Sequence, residues 1–413
     1  MKKTVLPVLL SILLAGNLFA GGFLTGTQNA RAMGMGHAFV GLANDASAIY
    51  FNPAGLANLK GTNVLFGTTF IMPTMDFTGP TPLTTTTSSV EKTFTPINLY
   101  GTYSMDNGLS FGIGVFNPYG LGSEWADDWI GKALAIETEL RTFYINPTVA
   151  YKVSDNLSVG VGFDYIISNI IMSRRITSVP GVPVPTNIKM DLEGDGKAAY
   201  TFNFGVLFQA TKDLSVGLAY RHSAEIEFDG EVKFSDLSVG IPQIDPILAG
   251  AFKTSKGAAK ITMPYDLRVG LSYNAMTNLI VNADFQYVGW ESYKELKATF
   301  DNPTYDMASP KNWENSMGIK VGGEYTMDAF AFRAGYVFDG NPIPTKYMDP
   351  SLPGADRHEF TLGLGYQITS SIRVDAAYQF ISFENEVKDS ALPFNGKYVN
   401  STNLFGFNLG FAL

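Results

Sequence analysis

Cysteine is absent from the chain. That excludes disulfide frameworks, thiolate metal sites, iron–sulfur clusters and cysteine nucleophiles, and it suits an oxidising compartment where a stray thiol is a liability. Charge is also scarce: 16% of the 413 residues are charged, against 46% hydrophobic and 13% aromatic. An ordinary water-facing domain carries about 25% charged residues, and disorder needs far less apolar content. The net charge is −9 with no Lys/Arg stripe, so a polyphosphate partner such as nucleic acid is excluded. Histidine occurs three times, as His37, His222 and His358, with no nucleophile motif beside any of them, so an enzyme is not expected. No cofactor or metal set is expected either.

Long hydrophobic runs are missing as well, except at the start. Lys2 and Lys3 precede an apolar run from Val5 to Ala15, and Ala20 offers a small residue at a cleavage point. The run is shorter than the roughly 20 residues a spanning helix needs, so residues 1–20 read as a secretory signal peptide. Beyond them nothing reaches 18 consecutive apolar residues, and a membrane could be crossed only by strands.

What is present is alternation. Leu157, Val159, Val161, Phe163 and Tyr165 alternate with Ser158, Gly160, Gly162 and Asp164, and the final run Phe405, Phe407, Leu409, Phe411, Leu413 opposes Gly406, Asn408, Gly410, Ala412. A period of two places one set on each face of a strand. A second regularity marks turns: an aromatic, five residues, then an apolar residue, as in Tyr103 to Leu109, Tyr151 to Leu157, Phe208 to Leu214, Tyr273 to Leu279 and Tyr366 to Ile372, with Tyr325 to Phe330 one residue shorter. The residues between are rich in Asp, Asn, Ser and Gly, as tight turns require. Longer connections fall at roughly 72–92, 118–135, 172–196, 235–260, 301–314, 341–357 and 384–401.

Six short turns and seven long loops join fourteen strands. An even strand number, short turns on one rim, long loops on the other and aromatics beside the turns predict an all-β, 14-stranded antiparallel transmembrane β-barrel of a Gram-negative outer membrane, with both termini periplasmic. A sheet in lipid must close so that no edge leaves backbone groups unpaired, which makes a monomer sufficient. Outer-membrane lipids and lipopolysaccharide are the expected surroundings.

The predicted organisation is 1–20 signal peptide, 21–60 N-terminal hatch and 61–413 barrel. Residues 21–59 lack alternation and are full of Gly, Ala and Asn, which suits a luminal plug of short helices. Asn52 is a good N-cap and Pro53 fits the first helical position, so Asn52-Pro53-Ala54 should start a short helix through Leu59, with Asn44 or Asp45 capping an earlier one. On the inward faces Asp164, Asp284, Glu324, Asp339 and Asp375 are matched by Arg221, Arg268, Lys320, Arg333 and Arg373. Inward charges need partners, so structural pairing is one reading and recognition of an anionic ligand by those cations the other.

The third strand runs from Leu109 to about Asn117. Pro118 cannot donate to a ladder, Gly112 and Gly114 weaken one, and Pro147 removes a donor from the neighbouring strand. These mark either a gap in the wall or an ordinary strand end and bulge. Loop 235–260 carries Ile244, Ile247, Leu248 and Phe252 at helical spacing, either a capture patch or residues packed under neighbouring loops.

The stretch NARAMGMGHAFVGLANDASAIYFNPAGLANL after GGF, followed by NPYGLGSEWADDWIGKALAIETEL at 117–140, resembles the FadL family of outer-membrane long-chain fatty acid and hydrocarbon transporters. The resemblance spans the chain after its leader. It implies a hatch whose NPA motif is Asn52, Pro53 and Ala54, and an N-terminus near Gly22 and Phe23 that reaches a ligand site. It further implies sideways release through an inward kink of the third strand and a hydrophobic capture groove at the loops. The ligands implied are long-chain fatty acids, alkanes or aromatic hydrocarbons, taken up passively. The rival is a general diffusion porin for small polar solutes, in which balanced luminal charges also occur. One departure is the C-terminus, Phe411-Ala412-Leu413, where such barrels commonly end in Phe.

Overall fold

The computed structural model describes residues 21–392 and 394–413; the expected signal peptide lies outside them. Among the described residues, fourteen antiparallel strands form one continuous sheet. They are β1 Gly61–Thr78, β2 Ile97–Ser104, β3 Leu109–Phe116 resuming at Gly120–Glu124, β4 Glu137–Ser154, β5 Leu157–Ile176, β6 Ile188–Gly196 with Ala199–Gln209, and β7 Leu214–Arg221 with Ala224–Ser235. There follow β8 Ser255–Met263 with Asp266–Met276, β9 Leu279–Val288 with Glu295–Phe300, β10 Met307–Pro310 with Ser316–Met327, β11 Phe330–Asp339, β12 Arg357–Gln367, β13 Ile372–Val387 and β14 Gly396–Ala412. Each strand pairs with its neighbours in sequence, and β14 returns to β1 in a ladder running from Asn63–Ala412 to Thr78–Lys397. That ladder closes the barrel, so no edge strand faces lipid.

The alternation explains the closure. On β5, Val161 and Phe163 are exposed while Gly162 and Asp164 are buried; on β14, Phe405 and Phe407 are exposed while Gly406 and Asn408 are buried. The surface is therefore apolar and the interior small or polar, the inverse of a protein folded in water. The six turn-flanking aromatics Tyr103, Tyr151, Phe208, Tyr273, Tyr325 and Tyr366 are all exposed and ring the short-turn rim. Among the described residues no helix is long and apolar enough to cross a membrane.

Several long connections are shorter than their sequence suggests. β1 continues to Thr78, β5 to Ile176 and β13 to Val387, and β8 begins at Ser255. The reason is physical: above the lipid the outer face meets water, so alternation fades while the ladder continues. There β6 and β7 carry Glu193, Asp195, Asp229 and Glu231 opposite one another on the outer face.

Inside sit α1 Ala30–Gly34, α2 Ala48–Phe51 and a 3-10 helix Pro53–Asn58. The Asn29 side chain accepts from the Arg31 N–H and caps α1, and Asp45 accepts from the Ser47 N–H and hydroxyl just before α2. Asn52 accepts from the Ala54 N–H at 3.2 Å, while its own amide donates to the carbonyls of Val40 and Val206, each at 3.0 Å. This asparagine thus ties two hatch segments to β6. The wall must come very close there: a Cβ on Gly205 would lie 2.0 Å from the Asn52 Oδ1, and one on Gly217 2.2 Å from the Val40 carbonyl. Only glycine admits that approach.

The hatch is held from all around the wall. Asp284 on β9 accepts from the Phe39 and Val40 N–H groups at 2.8 and 2.9 Å, and Asn408 on β14 accepts from Ala30 at 2.7 Å. Arg31 joins a closed cycle of alternating charge. It contacts Asp45 (3.4 Å) and Glu324 (2.8 Å); Arg333 contacts Glu324 (2.6 Å) and Asp375 (2.8 Å); Arg373 contacts Asp375 (2.8 Å) and Asp45 (3.5 Å). Three acids and three guanidiniums neutralise one another where water is scarce.

Candidate functional site: a luminal cavity that reaches the wall

Above the hatch lies a cavity of about 590 Å³, within the range of small-molecule sites. Its floor includes Tyr50, Phe51 and His37, and its sides include Met75 from β1, Ile381 and Phe383 from β13 and Leu404 from β14. Ser351, Leu352 and Pro353 roof it. That roof is fixed at Asp349. Burial alone would push its carboxyl up, but Lys311 at 2.6 Å and the Ser351 N–H and hydroxyl hold it below the ordinary carboxylate range.

The N-terminal segment forms one side. Phe23 sits in an aromatic cage, its ring centroid 4.6 Å from that of Trp290, 5.6 Å from Trp313, 5.9 Å from Tyr293 and 6.1 Å from Tyr119. Gly22 has φ +70°, and a Cβ there would lie 2.7 Å from Trp290 and 2.8 Å from Trp313, so the entrance of the chain into the cage requires glycine. The Arg357 guanidinium donates to the Gly22 carbonyl at 2.9 Å. Gly21, the first described residue, is buried within the barrel, whereas Leu413 lies at the short-turn rim, paired with Thr62.

β3 breaks at Asn117–Tyr119 and turns inward to this segment. The Thr25 N–H donates to the Pro118 carbonyl and the Gly120 N–H to the Phe23 carbonyl, both at 2.9 Å, while the Gln28 amide donates to the Asn117 carbonyl at 2.8 Å. The β2–β3 ladder ends at Leu99–Val115. Just above, Asn117 replaces it with side-chain bonds, accepting from the Ile97 N–H at 3.1 Å and donating to the Thr142 carbonyl. The main-chain ladder is therefore interrupted between residues 91–96 and the upper part of β3, up to the Val90–Glu124 bond. The cavity is lined there by Phe94 and Leu121, and also by Arg141 and Phe143, which point outward on β4.

Of the residues singled out in the sequence, the structure brings Gly22, Phe23, Arg268, Lys320 and Asn117 to this one cavity, with Pro118 at the break. Arg221 is buried beside Asp164, over the rings of Tyr50 and Phe116 at 5.5 and 5.2 Å. Arg268 contacts Asp266 and donates to the Tyr50 hydroxyl at 2.7 Å. Arg333 and Arg373 belong to the charge cycle. Lys320 makes no ion pair among the described residues and is half-buried at the cavity.

Gly112, Gly114 and Pro147 lie below the opening, in the regular β3–β4 ladder. A Cβ on Gly112 would lie 2.8 Å from both Ile49 and Leu56, so this glycine makes room for the hatch. The loop residues gather apart from the cavity: α3 Asp245–Ala251 buries Leu248 and leaves Ile247 65% exposed, with Ile244 at its start and Phe252 packed on Phe234 at 5.2 Å. The three histidines are separate: His37 meets Gln379 inside, while His222 and His358 each meet a tyrosine hydroxyl on the outer surface. Trp290 and Trp313 escaped the sequence reading, as did the hatch residue Arg31 and the ion pairs of Asp45, which the sequence offered only as a helix cap. Trp290 and Trp313 are two of only four tryptophans in the chain, which was the available signal.

Comparison with known proteins places this geometry. The chain is 26% identical over 419 residues to the long-chain fatty acid transport protein of an Escherichia coli O6:H1 strain, covering 92% of each. It is 25% identical to a 47 kDa outer membrane protein of Pasteurella multocida, covering 92% of this chain and 91% of that one. Among solved structures, a Pseudomonas aeruginosa FadL homologue superposes with TM-score 0.81 at 20% identity, covering 95% and 99% of the two chains. The Pseudomonas putida toluene transporter TodX superposes at 0.76 and 16% identity, covering 94% and 99%. The family model described as outer membrane protein transport protein (OMPP1/FadL/TodX) matches residues 11–412. A closed 14-stranded barrel with helices at its N-terminus and a near whole-length family match agree, and the chain belongs to the OMPP1/FadL/TodX family of outer-membrane transport proteins.

Proposed function

We propose that this protein takes up hydrophobic compounds passively across the outer membrane, long-chain fatty acids or related hydrocarbons being the substrates. The observation that carries the reading is the cavity, apolar along Met75, Ile381, Phe383 and Leu404 and lined from both faces of the wall at the β2–β3 break. A greasy solute has nowhere favourable to go in the polar layer of lipopolysaccharide, so the protein desolvates it. The α3 loop, with Ile247 exposed, makes first contact; the cavity holds the ligand; the opening at Asn117 and Pro118 hands it sideways to the membrane. The ligand's own gradient drives the process.

In this reading the short-turn rim and Leu413 face the periplasm. The Lys197–Glu227 and Lys260–Glu225 pairs, at 2.6 and 3.0 Å, lie on or beside the strand segments above the lipid-facing band and meet lipopolysaccharide headgroups. One chain suffices because the barrel has no free edge.

Of the five inward cations, Lys320 alone has no ion pair among the described residues, and it lines the cavity with Arg357, whose guanidinium already donates to the Gly22 carbonyl; Lys320 is the group that would receive a carboxylate. Cells carrying the protein should accumulate radiolabelled oleate and toluene faster than cells without it. Lys320→Gln should slow oleate uptake about tenfold or more, as expected for loss of a charge-assisted hydrogen bond, and leave toluene uptake unchanged. Equal slowing of both would remove carboxylate recognition from the account; no uptake of either probe by the unaltered protein would end it.

A further inference from the structure

The wall has a weakly held stretch beside the opening. Main-chain bonds fix it at its ends: the Val90 N–H donates to the Glu124 carbonyl (2.7 Å), the Ser89 N–H to Met75 (2.7 Å), and Phe94 exchanges two bonds with Ile71 (2.9 and 2.8 Å). Between them, Glu91, Lys92 and Thr93 make no main-chain hydrogen bond among the described residues. Continuing the Ile71–Phe94 pairing by two residues sets Pro73 beside Lys92, and proline has no N–H to give. Few backbone bonds in an otherwise continuous ladder mark the part of the sheet that opens at least cost.

Two side chains hold this stretch shut. The Phe94 ring occupies the space outside Gly122, where a Cβ would lie 2.0 Å from the ring. Thus Phe94 fills the hole that β3 leaves by bending inward. Lys92 spans the opening: its Nζ is 3.0 Å from Glu124 on β3, 2.7 Å from Glu137 on β4 and 6.0 Å from the centre of the Phe94 ring.

We propose that Glu91–Thr95 is a flap over the wall opening, with Phe94 as its stopper and Lys92 as its pin, and that its movement meters release into the membrane. The proposal rests on the lateral route above and adds the residues that regulate it. Ion pairs this exposed are individually weak, so the pin yields whenever a ligand presses the ring outward. Opening by a short hinged segment is a common rate-setting step.

The test uses the full-length protein in cells, with radiolabelled oleate for rate and a diazirine-bearing palmitate for route. Phe94→Ala and Lys92→Gln should raise uptake several-fold, Phe94→Trp should lower it, and Gly122→Ala, which pushes the ring aside, should act like Phe94→Ala. A shift in electrophoretic mobility on heating checks that each variant is folded. If palmitate labels peptides 92–96 and 120–124 while the folded Phe94 variants keep the original rate, the route stands and the flap is wrong. If those peptides stay unlabelled, the lateral route falls and takes the flap with it.

Discussion

Deleting residues 21–59 should turn a nearly closed barrel into an ion-conducting one, raising conductance across a planar bilayer about tenfold or more, since barrels somewhat larger than this enclose aqueous channels. The hatch is bonded to inward residues of strands on all sides, from Asn408 on β14 to Asp284 on β9 and the Val206 carbonyl on β6. Without it the interior would present Asp284, Glu324, Arg333 and Asp375 to water. The wall's own ladders and lipid-facing surface do not include the hatch, so the barrel should still assemble. If the deleted protein assembles and conducts no better than the parent, the long loops rather than the hatch seal the lumen. A diffusion porin would behave differently, conducting with the hatch in place.

Glu324→Ala should loosen the hatch without removing it. Glu324 joins Arg31 of the hatch to Arg333 of the wall, both within 2.8 Å and all three side chains at most 7% exposed. Removing one partner of a buried ion pair leaves uncompensated charge and costs about 3–5 kcal/mol. Here two guanidiniums lose a carboxylate, although Asp45 and Asp375 remain beside them. The cost falls on the hatch-to-wall contact, so amide hydrogen exchange in residues 29–45 should speed up by about two to three orders of magnitude while the strands stay protected. Exchange that rises equally in hatch and wall would show that the cycle stabilises the whole barrel rather than docking the plug.

How much of this was readable in advance depends on which solvent each residue meets. The lipid-facing rows were legible because a membrane tolerates only apolar groups outward: Phe405 and Phe407 against Gly406 and Asn408 state the strand, its face and its register at once. The extensions above the membrane were not, because water on the outer face erases the alternation while the ladder of β6 on β7 continues through Glu193 and Asp195. Asn52-Pro53 was readable as a local cap, since both partners of that bond lie two residues apart. The charge cycle was half readable. Inward parity identified Glu324, Arg333, Arg373 and Asp375, but Arg31 lies 293 residues from Glu324, and nothing local announces such a pairing. The cage around Phe23 draws Tyr119, Trp290, Tyr293 and Trp313 from breaks in three different strands and their connections, and the Lys92–Phe94 flap lies in a stretch with no period. Irregular backbone carries the site, and irregular backbone leaves no pattern to count.

The most direct test of the central claim is to purify the protein from outer membranes, extract it with organic solvent and identify what it held by mass spectrometry. A fatty acid or hydrocarbon is expected at close to one per chain, lost in the Phe23→Ala variant, whose cage no longer holds the N-terminal segment in place. A protein that carries no hydrophobic molecule and passes small ions with its hatch intact would contradict it.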